Sequence, residues 1–424
     1  MRPIYMDANA TTPLLPEVFE AMRPFWIEHF GNASSIHQQG QYARAAVDHA
    51  RDSVAKLLHC RVSEIVFTSG GTESDNLALF GTLSEGAHLI TTAIEHHAVI
   101  HAAESLAARN IEVTFLPCTP QGLIEPAALE AALRPNTKLV SIMYANNETG
   151  VIQPIAELAQ IAHAAGSLFH TDAVQATGKL PLDLSPRGPL KDIDLLTLSG
   201  HKMHAPKGIG VLFTRRNVRL TPMLHGGPHE RQRRAGTENV TGVVGLGKAA
   251  ELAQHWLAED GPAKNLGAPY LDSEMWASGE RPTAPAHLDP TNSPAHLAAL
   301  RDRLEQGILA QVDECGVNGK GAPRVSNTTN FYFDHVEAEA LVIALDLKGL
   351  SVSGGSACQS GATEPSHVLT AMGLTPARAR ASIRFSLSKL TTEEEVDRAL
   401  TLVPTAVARL RDLSPTYRKI PAVA

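Results

Sequence analysis

The chain has 424 residues, 43% of them hydrophobic and 19% charged, with a formal net charge of −7. A mildly acidic chain of this length buries two or three cores and has no overall electrostatic reason to bind nucleic acid or an anionic membrane surface. No run approaches the roughly 18 apolar residues of a membrane helix, and Met1–Asp7 carries no apolar signal core, so a cytoplasmic location is expected.

Taken in chain order, short apolar segments predict strands at 64–68, 88–92, 113–116, 138–143, 167–170, 195–198 and 210–214. Alanine-rich segments with helical spacing fall between them, at 45–58, 97–109 and 155–165. Alternation of nearly continuous apolar strands with helices predicts an α/β fold around a buried, mostly parallel seven-stranded sheet. Ligands of such sheets bind beyond the C-terminal ends of the strands.

The alternation breaks after about Gln254, and a Pro- and Ala-rich excursion fills 261–294. A charged helix (297–315), a strand (329–333) and helices at 337–347 and 392–411 follow. The expected division is a large unit over 14–254 and a smaller α/β unit from 1–13 and 255–424, the latter carrying a Gly/Ser-rich loop at 351–363.

Three chemical features stand at predicted strand ends. Ser69-Gly70-Gly71-Thr72 joins a strand to a helix, where glycines and helix-start N–H groups cradle an anion. It is neither a dinucleotide nor a P-loop pattern, and an ordinary capped helix start has the same look. Asp172 follows 167–170 and suits either a helix N-cap or a protonated ring nitrogen. Lys202 follows 195–198 and is either a solvated loop lysine or a Schiff-base amine. In this order and at successive strand ends, cradle, carboxylate and lysine together specify pyridoxal phosphate.

Other segments extend that reading. His96 and His97 put imidazoles at a further strand end, with no metal-ligand spacing to a third group. The segment Asn146-Asn147-Glu148-Thr149-Gly150 follows 138–143 and could hydrogen-bond a cofactor's ring hydroxyl. A basic, glycine-rich loop spans 225–237. None of the four cysteines belongs to a C-x-x-C motif. Cys60 and Cys118 adjoin apolar segments, whereas Cys358 sits among Ser, Gly and Ala in 351–362, the setting of an accessible working thiol. Arg384 lies inside an apolar strand and suits a substrate carboxylate or a structural ion pair equally.

The set resembles the NifS/IscS-type cysteine desulfurases of the class-V aminotransferases over nearly the whole chain. The resemblance rests on Tyr5–Pro13, Gly31–His37, Thr68–Asn76, Glu95–Val99, Asn146–Gly150, His170–Gln175, Ser199–Gly210, Arg234–Asn239, Gly354–Leu369 and Arg384–Leu387. The Ser-Gly-Gly-Ser-Ala-Cys loop is that of the long-loop group I enzymes.

The resemblance implies a fold-type-I pyridoxal-phosphate homodimer that turns L-cysteine into L-alanine, leaves a persulfide on Cys358 and passes the sulfur to an acceptor such as an iron–sulfur scaffold. It assigns Lys202 to the Schiff base, Asp172 to the ring nitrogen, and His96 to ring stacking and proton transfer. Gly71, Thr72, Ser199 and His201 fall to the phosphate, Thr237 to the phosphate of the other subunit, Asn147 and Gln175 to the ring-hydroxyl side, and Arg384, with Asn147, to the substrate. No metal site of its own is implied, with Cys358 a candidate transient ligand to a 2Fe–2S cluster on a bound scaffold. Selenocysteine lyase or another lyase of the same fold is the nearest alternative; a catalytically silent sulfur-relay protein is the non-enzymatic one. Ser388 departs from the glycine usual in the family.

Overall fold

A two-residue strand, β1 (Ile4–Tyr5), opens the fold. The main sheet follows: β2 (Ile65–Thr68), β3 (His88–Thr92), β4 (Glu112–Leu116), β5 (Thr137–Ser141), β6 (Leu168–Asp172), β7 (Leu195–Ser199) and β8 (Gly210–Thr214). These are the seven strands expected from the apolar runs, shifted by a residue or two at some ends. The computed structural model describes residues 3–258, 293–354, 365–414 and 417.

The strand order is β2-β8-β7-β6-β5-β3-β4. The ladders linking β4, β3, β5, β6 and β7 are parallel, while β8 runs against both of its neighbours. A strand buried on both faces reads as the same apolar run in either direction, so the reversal of β8 is a tertiary finding. Because β8 is reversed, β2 points the same way as the parallel strands, and its end joins theirs at one rim.

Alternate strand residues feed opposite faces, as the pleat requires. Ile65, Phe67, Phe169, Leu196, Leu198 and Phe213 pack towards the helices Gln38–Leu57, Ile155–Ala164 and Val240–Ala258. Val66, Leu89, Leu139, Leu195 and Leu212 pack towards Gly71–Thr82 and His97–Ala107. The helices Gln38–Leu57 and Val240–Ala258 approach so closely that a Cβ on Gly247 would lie 2.6 Å from Cα of Ala50.

A second sheet contains β9 (Cys315–Val317), β10 (Thr328–Phe333), β12 (Ser353–Gly354) and β13 (Ser382–Ser386), all antiparallel in the order β12-β13-β10-β9. Between them in sequence, β11 (Leu350–Ser351) pairs in parallel with β1. A separate core joins this sheet to the helices Pro294–Gln311, Ala338–Asp346 and Glu393–Leu413, and it includes Ile4, Met6 and Trp256. The N-terminal segment is therefore packed with the C-terminal half. Most of the 261–294 excursion and of the 351–363 loop, Cys358 included, lies outside the described residues. Among the described residues no helix is long and apolar enough to cross a membrane.

Candidate functional site

The ends of β2, β3, β5, β6 and β7 open into one cavity of about 320 Å³. Gly71, Thr72, His96, Asn147, Asp172, Gln175, Ser199, His201, Lys202 and Arg384 all line it. Ten residues singled out in sequence are thus brought together from six stretches of the chain, 71–72, 96, 147, 172–175, 199–202 and 384. Thr237 is exposed and does not line this cavity; its loop is tied to the cradle through Arg234, which pairs with Glu73 at 2.8 Å.

Local backbone geometry makes the cradle. Gly70 has φ 155° and ψ −174°, a conformation open essentially to glycine alone. It turns the chain from β2 into the helix Gly71–Thr82, whose first N–H groups and dipole favour an anion. A Cβ on Gly71 would stand 3.0 Å from Cγ2 of Val174 and 3.6 Å from Cβ of Ser199. His201 closes the cradle beside Ser199, its Nδ1 within 3.1 Å of Thr11 Oγ1.

Asp172 ends β6 as a buried carboxyl, accepting the N–H of Val174 at 2.8 Å. Burial raises its pKa to about 6, against the lowering effects of that hydrogen bond and of Lys202. Asp75 is buried beside it; burial, and then the Asp172 charge, hold it well above the usual carboxylate range. A buried pair like this does not readily carry two negative charges, and a cation placed against Asp172 favours its ionised form.

Lys202 ends the short turn Gly200–Lys202 and donates to the carbonyls of Asn9 (2.5 Å) and Ala10 (2.7 Å). Thr12 locks the same contact: its N–H and Oγ1 each donate to the His201 carbonyl at 2.9 Å, and its Oγ1 accepts from His204 N–H at 2.8 Å. His96 caps the helix His97–Ala107, its Nδ1 accepting the Ala98 N–H at 3.1 Å. Burial, then Lys202, lowers its pKa to about 4. The ring is therefore neutral near pH 7, with its proton assigned to Nε2.

Arg384 makes the structural ion pair that was one of the two roles open to it in sequence, and it also lines the cavity. It donates to Asp7 Oδ1 at 2.7 Å and to the Asn147 carbonyl at 3.0 Å, while its Nε is buried with no partner and its side chain faces the cavity. The side-chain oxygen of Asn147 is likewise buried and unpartnered. Gln175 donates to the Asn9 carbonyl at 3.0 Å and accepts from Lys179 at 2.8 Å.

Sequence reasoning missed Asn9, Asp75, Glu148, Lys179 and His367. Only Lys179 had a local signal, as a cation one helical turn after Gln175 in an otherwise apolar stretch. Burial moves Glu148 up to about 7, countered by a 2.6 Å bond from Ser366 and by Arg384. The remaining cysteines fit the packing role expected of such thiols. Cys60 and Cys118 contact the main core and Cys315 the second one, and burial pushes the Cys60 thiol up to about 12. Ser388 holds its turn without a glycine, its N–H bonded to Thr391 Oγ1 (3.0 Å) and its Oγ to the N–H of Leu390 (3.1 Å). Among the described residues no group of His, Cys, Asp or Glu is placed to hold a metal ion.

A lysine amine, a buried carboxylate and a helix-start cradle on one rim of a mixed α/β sheet agree with what sequence comparison finds. The family model for class-V aminotransferases matches residues 4–265 and 286–399, and the chain belongs to that family. Its similarity is to the cysteine desulfurases within it. Cysteine desulfurase 2 of Trichormus variabilis is 48% identical over 418 residues, 98% of this chain and 96% of that protein. The cysteine desulfurase IscS of Methanosarcina thermophila is 44% identical over 420 residues, 98% and 95% of the two chains. Among solved structures, a NifS-like protein superposes with a TM-score of 0.81 at 32% identity, covering 96% of this chain and all of its own. SspA in complex with cysteine gives 0.73 at 34%, covering 92% of this chain and all of its own.

Proposed function

We propose that the protein is a pyridoxal-phosphate-dependent cysteine desulfurase that moves sulfur from L-cysteine onto Cys358. The observation that carries this is the convergence of Lys202, Asp172 and the cradle residues Gly71 and Thr72 on one cavity. The residues fit the cofactor in three respects. The cradle has space where a Gly71 side chain would intrude, Asp172 is a carboxyl in want of a cation, and Asn147 Oδ1 is a buried polar atom without a partner.

Gly71, Thr72, Ser199 and His201 hold the phosphate, and Asp172 holds the ring nitrogen. His96 packs on the ring, and its neutral imidazole is fit to move a proton. Asn147 and Gln175 face the ring-hydroxyl side. When bound, pyridoxal phosphate supplies an electron sink for the substrate Cα. Lys202 would hold the group through its amine and is the residue that would move the substrate Cα proton. The Asn9 and Ala10 carbonyls are there to receive its N–H bonds. The unpartnered Nε of Arg384 and its cavity-facing fork bind the substrate carboxylate.

Cys358, as the thiolate, forms an S–S bond to the substrate sulfur while the substrate C–S bond breaks. The electron pair stays with carbon, which takes a proton, so that alanine leaves and the persulfide remains. The sulfur then passes to an acceptor, with an iron–sulfur scaffold as the expected partner.

Two further readings belong with this one. The units 14–254 and 1–13 plus 255–424 are read as domains, in keeping with the separate core that gathers Ile4, Met6 and the C-terminal helices. A homodimer is supported by the exposed apolar side chains of Trp26, Ile27, Phe30 and Ile36, which monomers seldom leave bare, and it would bring Thr237 to the partner's phosphate.

The test is the visible spectrum of the purified protein, followed by L-cysteine with alanine and persulfide assays. A cofactor band that responds to cysteine, alanine production, and persulfide mapped to Cys358 are expected. Cys358→Ala should keep the band and lose the persulfide. Wild-type sulfide release by Cys358→Ala would refute the sulfur-transfer step.

A further inference from the structure

Lys179 is buried, and its hydrogen-bond partners are neutral amide oxygens, Gln175 Oε1 at 2.8 Å and Asn9 Oδ1 at 3.4 Å. Among the described residues it has no carboxylate partner. A buried ammonium without an ion pair is costly, and a methionine would fill the same space, so stability alone does not account for it. The charged and titratable groups around it are Lys202, Arg384 and His204, with Lys389 lining the same small hollow. Burial, then Lys202 and Arg384, lowers its pKa to about 7. Charged or neutral, the amine still donates to Gln175.

The consequence lies in the Gln175 amide. Its oxygen faces a donor, Lys179, and its nitrogen faces an acceptor, the Asn9 carbonyl, at 3.0 Å. Flipping the amide would set oxygen against oxygen and N–H against N–H. One N–H of Gln175 remains, on a side chain that lines the cofactor cavity. Asn9 is gripped from the same side: its Oδ1 takes Lys179 and Asn327, and its backbone carbonyl takes both Gln175 and Lys202.

We propose that Lys179 is a positioning residue for the cofactor: it fixes the Gln175 amide so that an N–H, not a carbonyl, faces the ring oxygen of pyridoxal phosphate. This rests on Gln175 being the ring-hydroxyl contact. An N–H in that place holds the ring oxygen anionic. Without it the oxygen is more basic, and the pH midpoint of the visible band of the Lys202-bound cofactor rises.

The experiment is a pH titration of that band, without turnover, in holoenzyme carrying Lys179→Met, Lys179→Arg, Gln175→Leu, or Lys179→Met with Gln175→Leu. Lys179→Met should raise the midpoint by at least half a pH unit and release cofactor about tenfold faster on dialysis. Lys179→Arg, which keeps the donors, should stay within 0.2 unit of wild type. The double variant should match Gln175→Leu alone, because Lys179 acts through that amide. If Lys179→Met does not fold, Lys179→Leu, which likewise has no donor, replaces it, with a midpoint above wild type expected. A midpoint unchanged by loss of Lys179 overturns the proposal. So does a shift of equal size in the Gln175→Leu background, which would be the charge acting directly. A wild-type band with no response to Gln175→Leu sinks only the placement of Gln175 and, with it, this inference. No band in wild type after adding pyridoxal phosphate removes the functional reading itself.

Discussion

Replacing Asp7 by Asn tests how the N-terminal segment is bound to the rest of the fold. Asp7 Oδ1 meets Arg384 at 2.7 Å, with side-chain exposures of 18% and 2%. Unit charges about 4 Å apart interact by about 4 kcal/mol at an effective dielectric near 20. Relief of the partial burial of Asp7 returns part of that. The expected loss is therefore about 2–3 kcal/mol, between the ~1 kcal/mol or less of exposed pairs and the ~3–5 kcal/mol of broken buried ones. Asn keeps the shape, the backbone bridge from Asp7 to Ser386, and the Tyr5 hydroxyl bond to the Asp7 carbonyl, so the charge is what changes. A chain with two cores need not unfold in one step, so pulse proteolysis across a urea series is the suitable assay. It should be run on Asp7→Asn, Arg384→Met and the double variant. A coupling of about 2 kcal/mol is expected between the two positions. A loss under about 0.5 kcal/mol with no coupling would refute the reasoning and make the pair incidental.

Other consequences can be checked independently. Burial raises the Glu95 pKa to about 8, countered by bonds from Met143 N–H and Thr92. Because the folded value exceeds the unfolded one, its contribution is fully present below about pH 4.5 and is lost as the pH rises through about 8. Glu95→Gln should therefore be close to neutral at pH 4.5 and more stable than wild type at pH 8.5, by on the order of 3–4 kcal/mol; equal urea midpoints at both pH values would show that Glu95 does not titrate in this way. Gly247→Ala gains about 1 kcal/mol of helix propensity, but its methyl lies 2.6 Å from Cα and Cβ of Ala50. Overpacking of about 1–3 kcal/mol should prevail, and a raised melting temperature would contradict the close helix approach. Gly71→Ala puts a methyl 3.0 Å from Val174 Cγ2 in the cradle. Pyridoxal-phosphate affinity should drop about tenfold, about 1.4 kcal/mol, by equilibrium dialysis, with little change in the stability of the cofactor-free protein.

The sequence by itself determined the seven strands of the main sheet, because each is a short apolar run closed by turn residues. It also determined which chemistry stands at each strand end, since Gly71, Asp172 and Lys202 lie two to four residues beyond an apolar run and parallel sheets gather such ends at one rim. Tertiary structure alone decided the direction of β8, because a doubly buried strand carries no sign of its polarity. It alone laid residues 7–12 across the site. Lys202 meets the Asn9 carbonyl from 193 positions away, and Arg384 meets Asp7 from 377. It also turned Lys179 from a cation in an apolar stretch into the clamp on Gln175 and Asn9. Periodicity and capping operate within a few residues, and no local pattern records which distant carbonyl or carboxylate a buried cation will meet once the two cores have packed.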